Sequence, residues 1–211
     1  DTMITRVRIF ERLTADTTGV TERIRNASGT RQRGDRDFDP SLPELERPRT
    51  PAAVLVPLVE RNGEFTVLLT QRTEHLSDHA GQVSFPGGRI EASDADAVDA
   101  ALRETEEEIG LPRTLIEPIG RLDDYETGTG FLVTPIVGFV RTPFTLKPDP
   151  YEVADVFEVP LTFILDSNNH ERRSGFWRGR QRSYYAMPYG ERFIWGATAG
   201  MLINLYEVLS G

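Results

Sequence analysis

The fold class this chain predicts is α/β, a mixed β-sheet covered by helices, and three features predict it. Short apolar runs with strand character outnumber the helical segments. Two of those runs, Ala52 to Val59 and Phe65 to Thr70, flank Arg61-Asn62-Gly63-Glu64, whose Asn-Gly step is a strong hairpin signal. Two helical segments, Ser93 to Ile109 and Gly196 to Leu209, fall between and after the strands.

The elements follow in order. Residues 1–25 carry weak helical periodicity through Ile4, Val7, Phe10 and Leu13, which predicts an amphipathic helix. Residues 27–51 are rich in Gly, Arg, Asp and Pro, with almost no apolar content before Leu42, and read as an extended strap. The expected organisation is therefore an N-terminal helix and strap over 1–50 and a packed domain over 51–211. Ser93 to Ile109 is the strongest helix: Ser93 can cap it with Asp96 as partner, Asp94 suits the positive end of its dipole, and Gly110 and Pro112 stop it. Its buried stripe is expected to be Val98, Leu102, Thr105 and Ile109. Leu115 to Leu122, Leu132 to Val140 and Val156 to Val159 read as strands, and Leu161 to Leu165 as a helical turn. Phe176 to Arg180 and Ser183 to Met187 read as a hairpin, followed by a last helix with Ala197, Met201, Leu202, Leu205 and Leu209 as its apolar residues.

Composition narrows the function. The chain has 211 residues, 38% hydrophobic and 27% charged, which suits one soluble domain with a substantial core. A net charge of −9 argues against a general nucleic-acid or anionic-membrane surface. It also means that an anionic substrate needs local help from a metal ion or a few placed arginines. The absence of cysteine excludes disulfides and thiolate zinc sites. No apolar run approaches a membrane span and no signal peptide is visible, so the cytoplasm is the expected compartment, although the chain opens on Asp1 rather than Met.

The chemistry concentrates in Gly81-Gln82-Val83-Ser84-Phe85-Pro86-Gly87-Gly88 and in Arg103-Glu104-Thr105-Glu106-Glu107-Glu108-Ile109-Gly110-Leu111. With Glu104 at zero on a helical wheel, Glu108 lies at about 40° and Glu107 at about −60°, while the buried stripe centres on about 130°. Three carboxylates on one side repel one another, and a hard divalent cation such as Mg²⁺ or Mn²⁺ removes that cost. The arrangement reads as a metal site for phosphate chemistry fed by a Gly-rich loop.

The second of these runs resembles the signature of the Nudix hydrolases, G-x5-E-x7-R-E-U-x-E-E-x-G-U with U a bulky aliphatic residue. Arg103 to Leu111 fit its second half, with Thr105 at the first aliphatic position. In the first half the Glu position falls on Ala95 and the Gly position on Arg89. One extra residue restores the register, with Gly88 as the start and Asp94 at the acidic position. A narrower pattern upstream, L-L-T-x-R-[SA]-x3-R-x3-G-x3-F-P-G-G, resembles the coenzyme A pyrophosphatase branch. It is carried by Leu68-Leu69-Thr70-Gln71-Arg72-Thr73, Gly81 and Phe85-Pro86-Gly87-Gly88, with Ser77 where the branch has its second Arg.

The resemblance covers about Pro51 to Leu205 and implies a Nudix-type α/β/α sandwich. It also implies a metal-dependent hydrolase that cleaves the diphosphate of coenzyme A or acyl-coenzyme A to 3′,5′-ADP and a phosphopantetheine. Glu104 and Glu108 would bind Mg²⁺ or Mn²⁺, with Glu107 sharing ligands or acting through water. Arg103 would hold a carboxylate of the box. Arg72, Gly87 and Gly88 would meet the substrate. Glu152, in Tyr151-Glu152-Val153, is the candidate base, with Glu126 as runner-up. The partner implied is a small nucleoside diphosphate, with no nucleic acid or membrane and with a homodimer admitted. The alternatives are another substrate, such as ADP-ribose or a dinucleotide, and a catalytically silent nucleotide-binding module. His79 reads as a loop hydrogen-bonder, and Trp177, Tyr184, Tyr185 and Trp195 as packing.

Overall fold

The structure, a computed structural model, describes residues 4–15, 32–77, 79–177 and 179–211. The helix expected beyond residue 15, the start of the strap and the turn residue Arg178 lie outside the described residues.

Alternating apolar residues build the central sheet. β1 (Gln32–Gly34), β2 (Thr50–Arg61), β3 (Glu64–Arg72), β4 (Val83–Ser84), β5 (Gly87–Arg89), β6 (Ile116–Arg121), β7 (Asp124–Glu126), β8 (Phe131–Val140) and β9 (Val153–Pro160) form it. Its main path runs β1-β7-β8-β2-β3-β4, with β5 on β2, β6 on β8 and β9 on β3. β2 runs parallel to β8, from Thr50 opposite Phe131 to Val59 opposite Val140, and β1 runs parallel to β7; the other pairs are antiparallel. The sheet is mixed, as expected. The β2–β3 turn places Asn62 at φ 53° and Gly63 at φ 83°, the pair of left-handed residues that a tight hairpin requires.

Period-two alternation separates two cores. Val56, Leu58, Val67, Leu69, Val137 and Phe139 face one side, against α1 (Arg6–Thr14) and α4 (Gly196–Ser210). Ala53, Leu55, Leu68, Ile136 and Val140 face the other, against α2 (Ala97–Ile109). Helices on both faces make the α/β/α sandwich. The short α3 (Leu161–Ile164) closes β9, and β10 (Glu171–Trp177), β11 (Arg180–Tyr189) and β12 (Arg192–Trp195) form a second, antiparallel sheet. Among the described residues no helix is long and apolar enough to cross a membrane.

Four expectations are corrected. In α1 the buried residues are Ile9 and Leu13, whereas Val7 and Phe10 stay 65% and 39% exposed. β7 was unexpected, because three residues with one buried apolar side chain, Tyr125, carry no readable period. The strap is not extended throughout, since Gln32–Gly34, which pairs with β7, runs into a 3-10 turn over Asp35–Asp37. Finally, α2 starts at Ala97 with Asp96 as its cap, accepting from the Asp99 N–H at 2.9 Å. Ser93 is left exposed, because Asp94 is committed elsewhere.

Candidate active site

The exposure of the three carboxylates follows their angle on α2. Glu107, farthest from the stripe, has a side chain 59% exposed; Glu104 is at 17%; Glu108, nearest the stripe, is 4% exposed. Glu108 is thus a buried acid rather than a surface one, which corrects the expectation that it sits clear of the packing. Thr105 is fully buried at an aliphatic position and satisfies its hydroxyl on the Ala101 carbonyl at 2.7 Å.

Burial drives the electrostatics. Desolvation raises the Glu108 carboxyl to about 8; the Arg72 cation and the Gly87 N–H oppose the shift, while Glu152 and Glu104 add to it. Glu104 is also raised, mainly by burial, against the pull of Arg103 and with the push of Glu107 and Glu152. These mutual influences put Glu104, Glu108, Glu152 and Arg72 within electrostatic reach of one another.

Arg103 organises the outer side. Its Nε and Nη2 grip Asp94 at 2.7 and 2.9 Å, its Nη1 donates to Glu104 at 3.0 Å and Glu107 at 3.2 Å, and Nη2 also donates to the Arg89 carbonyl at 3.2 Å. All five N–H groups of the guanidinium are used. Asp94, its side chain only 2% exposed, is held at about 2 chiefly by the Arg103 hydrogen bonds. Asp94 clamps Arg103, a contact that the sequence reading did not assign to it. The signal was its position in the Nudix pattern once one residue is inserted.

The remaining groups arrive by backbone necessity. Gly110 ends α2 in the left-handed region at φ 69° and returns its N–H to the Glu106 carbonyl. The next free carbonyls are capped by a later segment: Lys147 N–H donates to Ile109 and Asp149 N–H to Glu108, each at 2.8 Å. That segment then delivers Glu152, whose carbonyl accepts the Thr73 N–H at 3.0 Å. The β3–β9 register shifts between Gln71 and Arg72, a bulge that re-aims the strand end beside Glu108. Arg72 Nε is buried without a hydrogen-bond partner.

Two glycines line the floor for different reasons. A Cβ on Gly87 would lie 2.4 Å from the Ala53 carbonyl and 2.6 Å from Val54 Cα, so β5 packs on β2 only without a side chain. On Gly88 it would lie 2.6 Å from the Glu104 carboxylate, the movable end of a side chain. Gly87→Ala is therefore expected to destabilise the fold by about 1–3 kcal/mol. Gly88→Ala should leave stability nearly unchanged and lower turnover by displacing Glu104. Urea unfolding paired with an activity assay separates the two; equal stability losses would refute the distinction.

Glu126 lies elsewhere, taken up by Arg49 and by Gln32, the latter at 2.6 Å. His79 is an exposed loop residue at φ 54° whose Nδ1 lies 3.1 Å from Gln82 Oε1. Ser77 is exposed. Among the described residues no three acidic or histidine side chains converge as they stand on one ion-sized point, since Arg103 takes up Glu104 and Glu107. The donor set nonetheless fits a hard divalent cation. It is all oxygen, one member is an acid whose pKa is raised mainly by burial, and the missing side chain of Gly88 leaves room for the Glu104 carboxylate.

Comparison with known proteins agrees. A family model described as the NUDIX domain matches residues 48–176. The chain is 42% identical over 154 residues to the Uncharacterized Nudix hydrolase NudL of Escherichia coli K12, covering 73% of this chain and 80% of that protein. A NudL from Shigella boydii serotype 18 is 41% identical over the same length, with the same coverage. Among solved structures, a MutT/nudix family protein from Enterococcus faecalis superposes with a TM-score of 0.50 at 18% identity, over 80% of this chain and 64% of that one. With the box helix, its arginine clamp and the sandwich in place, the chain belongs to the Nudix hydrolases, diphosphate-cleaving enzymes that as a family use divalent metals such as Mg²⁺ or Mn²⁺.

Proposed function

We propose that this hydrolase cleaves the diphosphate of coenzyme A or an acyl-coenzyme A, releasing 3′,5′-ADP and the (acyl-)phosphopantetheine. The observation that carries the reading is how the upstream pattern folds. Its two parts pair directly, Thr70 opposite Ser84 and Gln71 opposite Val83, so that Arg72 and the Phe85-Pro86-Gly87-Gly88 turn meet the box carboxylates as one unit.

In this reading Glu104 and Glu108 would hold the divalent cation, with Glu107 sharing ligands or acting through water. The cation, when bound, neutralises the diphosphate and makes a bound water acidic enough to serve as a nucleophile at neutral pH. Arg103 keeps Glu104 oriented while Asp94 holds Arg103. Arg72 directs its free Nε–H to a phosphate oxygen, and Gly87 and Gly88 hold the loop beside the substrate, the first by packing on β2 and the second by leaving room for Glu104. Glu152 accepts the proton of the attacking water, as its position against both metal-binding carboxylates allows.

One observation favours a second substrate. Ser77 is exposed where the branch pattern places an Arg, which removes a cation suited to the anionic groups of coenzyme A and brings ADP-ribose or a dinucleotide forward. Turnover of coenzyme A, acetyl-coenzyme A, ADP-ribose and a diadenosine polyphosphate with Mg²⁺ or Mn²⁺ tests both. The expected outcome is the highest kcat/KM on a coenzyme A thioester or coenzyme A itself, with 3′,5′-ADP as product. EDTA should suppress it by about a hundredfold or more. A clear preference for ADP-ribose would overturn the substrate assignment, and undiminished activity in chelator would overturn the metal assignment.

A further inference from the structure

One exposed ring pair stands at the rim of the site with no part in the chemistry above. Tyr151 is 64% exposed, and its ring lies 4.8 Å from that of His75, centroid to centroid, at 53°. His75 is itself exposed, with Nε2 3.4 Å from the Thr73 hydroxyl. The aromatic group of the second sheet packs on itself instead: Tyr184 lies edge-on to Trp195 at 5.4 Å and Phe193 stacks on Trp195 at 6.4 Å.

Tyr151 is not a loose surface residue. Its carbonyl accepts the Thr73 hydroxyl at 2.7 Å, and Thr73 directly follows Arg72. Its N–H donates to Asp149 Oδ1 at 2.9 Å, and the Asp149 N–H donates to the Glu108 carbonyl at 2.8 Å. It also precedes Glu152. The backbone of Tyr151 is therefore pinned to the strand end that carries Arg72 and to the helix end that carries Glu108, while its ring stays open to water. A planar ring held at the mouth of a diphosphate site matches a planar group attached to that diphosphate. In a nucleoside diphosphate that group is the base, and stacking needs no hydrogen-bond code to be worth affinity.

We propose that Tyr151, braced by His75, is the stacking surface for the purine base of the substrate, and so sets the preference for nucleoside diphosphates over diphosphates without a base. The proposal rests on the placement of the diphosphate between Arg72 and the box carboxylates. It does not rest on coenzyme A in particular, because ADP-ribose carries the same adenine.

The test compares Tyr151→Ala and Tyr151→Phe on coenzyme A, on ADP-ribose and on an analogue of coenzyme A with the adenine removed. Tyr151→Ala should raise KM about three- to tenfold for both adenine-bearing substrates, with kcat within about twofold and no change on the base-free analogue. Tyr151→Phe should behave as the unchanged protein. Binding of 1,N6-etheno-ADP gives a readout independent of turnover: quenching of its fluorescence should be lost in Tyr151→Ala and kept in Tyr151→Phe. An equal KM rise on the base-free analogue, or unchanged KM and quenching in Tyr151→Ala, would overturn the proposal. If the unchanged protein cleaves ADP-ribose but not coenzyme A, the substrate assignment fails while the Tyr151 comparison on ADP-ribose still decides the stacking role.

Discussion

Glu108→Gln should lower diphosphate turnover by about a hundredfold or more while making the metal-free protein more stable. The two effects have one cause. Burial against Glu104 and Glu152 raises the Glu108 carboxyl from its usual 4.5 to about 8. An acid whose pKa is raised on folding opposes folding when ionised, so this residue costs no stability below about pH 4.5 and a growing amount as pH climbs towards 8. The amide removes that cost, keeps nearly the same volume and still accepts from the Gly87 N–H. In EDTA at pH 8 the variant should gain about 1–3 kcal/mol over the unchanged protein, and the difference should vanish near pH 4. Added Mg²⁺ should stabilise the unchanged protein more than the variant. Chemical denaturation across pH, with and without Mg²⁺, measures all of this. A variant that unfolds more easily in EDTA would show Glu108 to be a packing residue, and one that retains full turnover would show it to be dispensable.

Arg103→Ala should cost about 3 kcal/mol of stability, more than a surface ion pair could, because Asp94 would be left buried with only the Glu91 N–H at 2.7 Å. Turnover should fall with it, since Glu104 and Glu107 lose the guanidinium that separates and orients them. Arg103→Lys should restore little, because a point charge cannot reproduce the two-pronged grip on Asp94. The pH dependence identifies the partner. Asp94 is held at about 2 against an ordinary 3.8, so its stabilising contribution is complete above about pH 4 and is lost as pH falls through 2. Arg103→Ala and Asp94→Asn should each remove that acid-side loss, and the double variant should be far less destabilised than the sum of the two. Simple additivity would show that the two side chains act independently.

The sequence by itself determined most of the frame. Strand periodicity, the Asn62-Gly63 turn, the Gly110 stop and the box helix were readable because each depends on residues within a few positions of one another. The helical wheel put the three carboxylates on one side of that helix, but not the burial of Glu108, which is 4% exposed. Less local features escaped. β7 exists because β8 and β1 lie on either side of it, and three residues cannot announce that. The helix starts at Ala97 with Asp96, not Ser93, as its cap, while Asp94 outside it is held by Arg103, a partner nine positions away.

Tertiary structure alone decided the chemical state of the site. Nothing in Arg103 to Leu111 says that Glu108 is buried deeply enough to hold its proton near neutrality; that follows from the desolvation of its carboxyl in the assembled fold. Nor does the chain say that Glu152, more than forty residues on, pushes on the Glu108 carboxyl. It does so because the segment from Lys147 to Asp149 supplies the N–H groups that the end of α2 lacks, and Glu152 rides on that cap. Local patterns report which face of an element is apolar. How much water remains beside a charge, and which distant group shares its field, depend on the whole assembled surface.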